Sequence, residues 1–119
     1  RQLAAILKRG KHDWIAALES QKAVYLITDK ANGRLYVGSA TAEKGMLLKR
    51  WRAYAQNGHG DNDELVKLKA EKGFDYIKDN LQYAILENYN ARVDDAVILE
   101  RERWWKETLQ SRKFGYNGN

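Results

Sequence analysis

Two charged side chains fall where apolar ones belong, and they are the most informative residues in the chain. On a helical wheel drawn from Asp94 onward, Ile98, Trp105 and Leu109 form one stripe. Glu102 lies within about 40° of Ile98 on that wheel, whereas Glu100, Arg103 and Glu107 point the other way as solvated charges do. A carboxylate on a core stripe must be paired, protonated or bound to a metal, because an unpaired buried charge costs several kcal/mol. Arg50 is the second case. It sits inside the apolar arc of Met46, Leu47, Trp51, Ala53 and Tyr54, while Lys49, Arg52 and Gln56 lie outside it. Such an arginine either snorkels over a core edge or aims its planar fork at a phosphate. Glu102 has a similar plain alternative, a salt bridge to an arginine at the core edge. Other polar groups carry less by themselves: Tyr25 and Tyr36, His59 in a glycine loop with Asn62 nearby, and Tyr116-Asn117 before the final Gly-Asn. Each is equally at home in an ordinary sheet, a solvated loop or a frayed terminus.

The elements that must position these groups follow from local pattern. Residues 23–28 and 34–38 read as strands around a turn containing Asn32-Gly33, a strong hairpin signal. Side-chain alternation then puts Tyr25 and Tyr36 on one face and Val24, Leu26, Leu35 and Val37 on a core face. Residues 46–56 read as a helix broken by Asn57-Gly58-His59-Gly60. Asp61 or Asn62 caps the next helix, which runs to about Lys72 and ends at Gly73. Residues 81–87 read as a third strand, and Asp94 caps a long helix to about Leu109. Asp13 is expected to cap a short helix from Trp14 to Ser20. The expected fold is α+β, a three-stranded antiparallel sheet flanked by helices.

The chain has 119 residues, enough for one core. It contains no cysteine and two histidines, which excludes a disulfide scaffold, a thiol nucleophile and a Cys/His metal centre. It has no apolar run of membrane-spanning length and no signal-peptide pattern, so an intracellular, cytoplasmic protein with no membrane partner is expected. The chain opens at Arg1 and its one methionine is Met46, so a piece of a longer protein is expected. Net charge is +5. Residues 1–50 hold ten Lys/Arg against four Asp/Glu, and residues 51–119 hold eleven against twelve. A polyanion surface therefore belongs to the first half.

Taken together, these residues resemble the GIY-YIG nucleases. Val24-Tyr25-Leu26 followed by Tyr36-Val37-Gly38 is similar to the family's paired tyrosine motif, with Val24 in place of the first glycine. The run Lys49-Arg50-Trp51-Arg52-Ala53-Tyr54 resembles the helix that carries the family's arginine, with Tyr54 where many members have histidine. The run from Glu100 to Asn117 resembles the family's metal-carboxylate helix and terminal asparagine, especially as found in phage intron-encoded homing endonucleases. The segment from Asp13-Trp14 into the hairpin also resembles a bacterial subgroup in which this domain is the tail of a larger protein.

The resemblance implies a linker and short helix at 1–22 and a nuclease domain at 23–119. It implies a metal-dependent DNA endonuclease of restriction, mobile-element or repair type, using one Mg²⁺ or Mn²⁺ per site. Glu102 becomes the metal ligand and Arg50 the phosphate-binding group. Tyr25 becomes the base that activates water, with Tyr36 its partner or the reverse. Asn117 holds the phosphate or a tyrosine hydroxyl. Tyr54 contributes a hydroxyl, and His59 is a rival base. The implied partner is double-stranded DNA, contacted by Lys30, Arg34, Lys44, Lys49 and Arg52, with a dimer or an additional recognition domain supplying sequence selectivity. The alternative is a nucleic-acid-binding module without cleavage.

Overall fold

The structure is a computed structural model that describes residues 21–42, 46–60 and 62–118. The short helix expected from Trp14 to Ser20, and with it Lys44 and Asp61, lie outside the described residues.

Three strands form one antiparallel sheet: β1 (Gln21–Asp29), β2 (Leu35–Ala40) and β3 (Leu81–Asn90), in the order β2-β1-β3. Five helices accompany them: α1 (Met46–Asn57), α2 (Asp63–Lys72), α3 (Phe74–Asn80), α4 (Asp95–Leu109) and α5 (Ser111–Phe114). The α+β class and the sheet match the sequence reading. Helix α3 was not anticipated. It is only seven residues long, and Gly73, with φ of 87°, ends α2 and starts α3. Its Ile77 is the one buried residue, too short a pattern to register as a helical period. Strands β2 and β3 run further than expected, to Ala40 and Asn90. Ladder pairing with β1 carries them across Gly38-Ser39 and Asn88, whose local preferences oppose a strand.

The sheet is covered on both faces. Ala23, Tyr25, Ile27, Tyr36 and Ala40 pack against α1, α2 and α3 through Leu47, Leu48, Trp51, Tyr54, Leu65, Leu68 and Ile77. Val24 and Val37 pack on the opposite face against Ile98 of α4. The face carrying Val24 and Val37 is core as anticipated, but the tyrosine face holds the larger cluster.

A bulge in β3 divides that strand between the two faces. Tyr25 pairs with Ile85 but Val24 pairs with Glu87, so Leu86 is the extra residue. Tyr83 consequently joins the α1 side, while Glu87 and Tyr89 join the α4 side. Glu87 accepts two hydrogen bonds from Arg101, 2.6 Å from Nη2 to Oε2, and one from Trp105 Nε1 at 3.1 Å. The Tyr89 hydroxyl also donates to it. This clamp fixes the rotation of α4 on the sheet and therefore the direction in which Glu102 points.

The Arg101 hydrogen bonds hold Glu87 at a pKa of about 2, against an ordinary 4.5, with burial opposing and Tyr89 and Trp105 assisting. A depressed carboxylate stabilises the fold above its ordinary pKa, and that contribution is lost as pH falls toward about 2. Glu87→Gln should lower unfolding stability near pH 7 by about 1–2 kcal/mol and flatten the acid limb below pH 4.5, as read by urea denaturation across pH.

Candidate active site

The tyrosine side of the site depends on a missing side chain. A Cβ at Gly38 would lie 2.4 Å from the ring of Tyr25. Glycine in this strand is required for close approach, not for an unusual backbone angle. The Tyr25 ring lies across it and is 1% exposed. Its hydroxyl shares a 2.8 Å hydrogen bond with that of Tyr54 from α1. Tyr36 lies on the same face, its ring centroid 6.5 Å from that of Tyr25. Tyr83, which sequence reasoning missed, packs on Tyr54 at 5.6 Å.

Arg50 closes this row from α1, one turn before Tyr54. Its guanidinium lies 5.3 Å from the Tyr54 ring centroid, and Nη2 donates to the Gly60 carbonyl at 2.8 Å and to the Tyr54 hydroxyl at 3.4 Å. Nε is buried and has no acceptor among the described residues. The loop that receives Arg50 is held by Asn57, whose side-chain oxygen accepts from the backbone of His59 (2.9 Å) and Gly60 (2.8 Å). His59 is half-buried in that loop. Gly60 has φ of 52°, and a Cβ there would meet the Tyr54 ring at 2.7 Å.

Glu102 enters from α4, on the other face. It is 8% exposed, and its partners differ from the core-edge arginine considered above. Ser39 Oγ donates to Oε1 at 2.7 Å, and Lys106 Nζ lies 3.1 Å from Oε2. Because β2 is an edge strand, groups from both faces meet along it. Glu102 is close enough to Tyr36 to oppose ionisation of its hydroxyl. Neither Ser39 nor Lys106 was singled out from sequence. Lys106 did carry a signal, since Ile98, Glu102 and Lys106 repeat every four residues along one face.

The last strip of chain seals the outer edge of β2. Tyr116 N donates to the Leu35 carbonyl at 2.8 Å. Asn117 brackets the Val37 backbone, accepting from its N–H and donating to its carbonyl, both at 2.8 Å. The amide of Asn117 is thus engaged by Val37, between Tyr36 and Gly38, and not by a tyrosine hydroxyl. Tyr116 also donates to Asp29 Oδ2 at 2.6 Å, which ties this strip to the hairpin turn. The pair is buried structure and not a frayed end.

Burial is the largest influence on the three central tyrosines and pushes all of them above the ordinary value of 10. They differ in what opposes it. For Tyr25, Tyr36 adds to the rise, while Arg50 and the Tyr54 hydrogen bond favour the phenolate. For Tyr36, Tyr54 and Glu102 add to the rise and Arg50 alone opposes it. Of the candidate DNA contacts, Lys30 and Arg34 are exposed at the hairpin turn, and Lys49 and Arg52 are exposed on α1.

Among the described residues there is no group of three or more His, Cys, Asp or Glu side chains that could hold a metal. Glu102 could offer one carboxylate to such an ion. That donor set fits Mg²⁺, which is commonly held by one or two carboxylates plus substrate phosphates. No helix among the described residues is long and apolar enough to cross a membrane.

A family model described as the GIY-YIG catalytic domain matches residues 21–117. Two solved structures are similar in fold. The catalytic domain of the homing endonuclease I-TevI is 27% identical with a TM-score of 0.57, covering 81% of this chain and 96% of that one. A mutant of the catalytic domain of intron endonuclease I-TevI is 23% identical with a TM-score of 0.59, covering 83% and 94%. No curated protein matches.

Gly38→Ala should push the Tyr25 ring off the Tyr54 hydroxyl. A displacement of about 1 Å costs roughly 10²-fold in rate where catalytic groups are positioned. The variant should lose at least that much of any cleavage activity and show a changed near-UV tyrosine signal while keeping its far-UV spectrum.

Proposed function

The chain belongs to the GIY-YIG nuclease family, and on that premise we propose that it is an endonuclease that hydrolyses double-stranded DNA with the help of one divalent cation, Mg²⁺ or Mn²⁺. The observation that carries this reading is a hydrogen-bonded pair of buried tyrosines that Arg50 joins from α1, together with a buried carboxylate, Glu102, held by Ser39 of the strand that carries Tyr36.

Arg50 binds the scissile phosphate through its remaining donors and neutralises charge as the pentacovalent arrangement forms. Tyr54 fixes the guanidinium, and Gly60 holds it from the far side. In its ionised form, after its own proton has left to solvent, Tyr25 orients the attacking water and accepts one proton from it. It suits this role better than Tyr36, because Arg50 and Tyr54 favour its ionised form while Glu102 opposes that of Tyr36. Glu102 would hold the divalent ion, which when bound would supply Lewis-acid neutralisation of the phosphate. Ser39 holds the Glu102 carboxylate in place. Asn117 acts through β2, by locking the backbone between Tyr36 and Gly38.

Lys30 and Arg34, exposed at the hairpin turn, and Lys49 and Arg52, exposed on α1, are the phosphate contacts of this reading, with Lys44 as a further candidate. A domain of this size offers little surface for reading grooves, so sequence selection comes from a second copy or a further domain.

Incubation of supercoiled plasmid with Mg²⁺ and then with EDTA tests the reading. Nicking or cutting that EDTA abolishes is expected, and DNA binding without any cutting would leave a binding module. Glu102→Gln should abolish cleavage while DNA affinity stays within a few-fold. Arg50→Lys should be nearly as inactive as Arg50→Ala, because a point charge does not reproduce the planar fork.

The pH profile distinguishes the bases. Burial raises the Tyr25 pKa, so its proton-accepting form is scarce at neutral pH and increases throughout the alkaline range. The rate should climb from about pH 6 to 9 without levelling, and Tyr25→Phe should reduce it by roughly 10²-fold while folding and DNA binding persist. A plateau near pH 7 that His59→Ala removes together with activity would transfer the role to the imidazole.

A further inference from the structure

Most charges on α4 are solvated or reach out to the sheet. Arg103 and Glu100 pair across the exposed face, with side chains 61% and 68% exposed. Lys106 differs. It is 7% exposed, one helical turn from Glu102, and its ammonium lies 3.1 Å from Oε2. Lysine is among the residues least often fully buried, and a partner charge is the usual reason when it is. With Ser39 on Oε1, each oxygen of Glu102 already has a partner in the free protein.

We propose that the Lys106 ammonium is the resident cation of Glu102, holding the carboxylate in position and keeping its affinity for divalent ions low until a phosphate is present. This rests on the reading of Glu102 as the metal-holding carboxylate. A carboxylate has about four lone-pair directions, so the two occupied oxygens still leave room for an ion. That ion meets a fixed positive charge at close range in a poorly screened place, where repulsion is far stronger than in bulk water. A DNA phosphate brings the negative charge that offsets it. Ion and DNA then bind better together than either binds alone, and the coupling is reciprocal. Lys106 is a positioning residue here, acting through Glu102 and not on the substrate.

Mn²⁺ binding to the free, DNA-less protein, followed by electron paramagnetic resonance, tests this without reference to cleavage. Lys106→Met keeps the length of the apolar stem and removes the charge. It should bind Mn²⁺ on the order of tenfold more tightly than wild type, the scale on which groups behind a metal ligand act. It should also lose most of the enhancement that a short duplex gives the wild type. Lys106→Arg should restore weak binding. Unchanged or weaker Mn²⁺ binding by Lys106→Met overturns the proposal. If circular dichroism shows that Lys106→Met does not fold, Lys106→Gln is held to the same expectation. Glu102→Gln should remove the site in every background. If it binds Mn²⁺ like wild type, the assignment of Glu102 fails, a result distinct from the failure of Lys106.

Discussion

Tyr25 can reach Tyr54 only because no side chain stands on Gly38. That vacancy lets a phenol ring lie flat on a neighbouring strand and deliver its hydroxyl into an otherwise apolar layer. A buried hydroxyl without a partner costs about 1–3 kcal/mol, so the layer must supply one. Tyr54 does, and Arg50 then donates to the Tyr54 hydroxyl and to the Gly60 carbonyl. The carbonyl is available because Asn57 folds its loop back over α1. A single close approach between two strands thus propagates through a chain of satisfied polar groups to a loop twenty-two residues further along the sequence.

The second constraint is that β2 is an edge. Unpaired backbone along an edge invites pairing with other chains, and here Tyr116 and Asn117 cover it. The same position lets side chains from opposite faces approach one another. Ser39 and Gly38 are adjacent and face opposite ways, so the carboxylate held by one and the phenol admitted by the other are neighbours without sharing a face. Two distant clamps keep that arrangement in register. The Glu87 cluster sets the rotation of α4, and Asp29, buried at the end of β1, accepts from Tyr76 of α3 as well as Tyr116.

The sequence was most legible where local pattern and burial agree. The Asn32-Gly33 hairpin, the long helix from Asp94 and the inward turn of Glu102 follow from turn chemistry and helical period, and all three are present. Arg50 was picked out of its helix in the same way, and it is half-buried beside Tyr54 as that arc requires. What escaped was tertiary. Helix α3 is one short turn pattern between Gly73 and the start of β3 at Leu81, and is fixed by packing of Ile77. The bulge at Leu86 sends Tyr83 and Glu87 to different faces although both are odd-numbered, which simple alternation cannot reveal. The role of Asn117 as a backbone clamp also depends on where the terminus returns. Lys106 was legible in principle, because it repeats the spacing that drew attention to Glu102.

The charges at the site are arranged to be stable before any substrate arrives. The tyrosines are neutral there, since burial holds their hydroxyls above the ordinary value. Glu102 and Lys106 compensate each other as an ion pair. Among the described residues Arg50 instead donates to neutral oxygens, the Tyr54 hydroxyl and the Gly60 carbonyl. The dipoles of Tyr54 and Gly60 hold that guanidinium, so the orientation of Arg50 depends on the same hydroxyl that Tyr25 engages, and through Tyr25 on the bare Cα of Gly38.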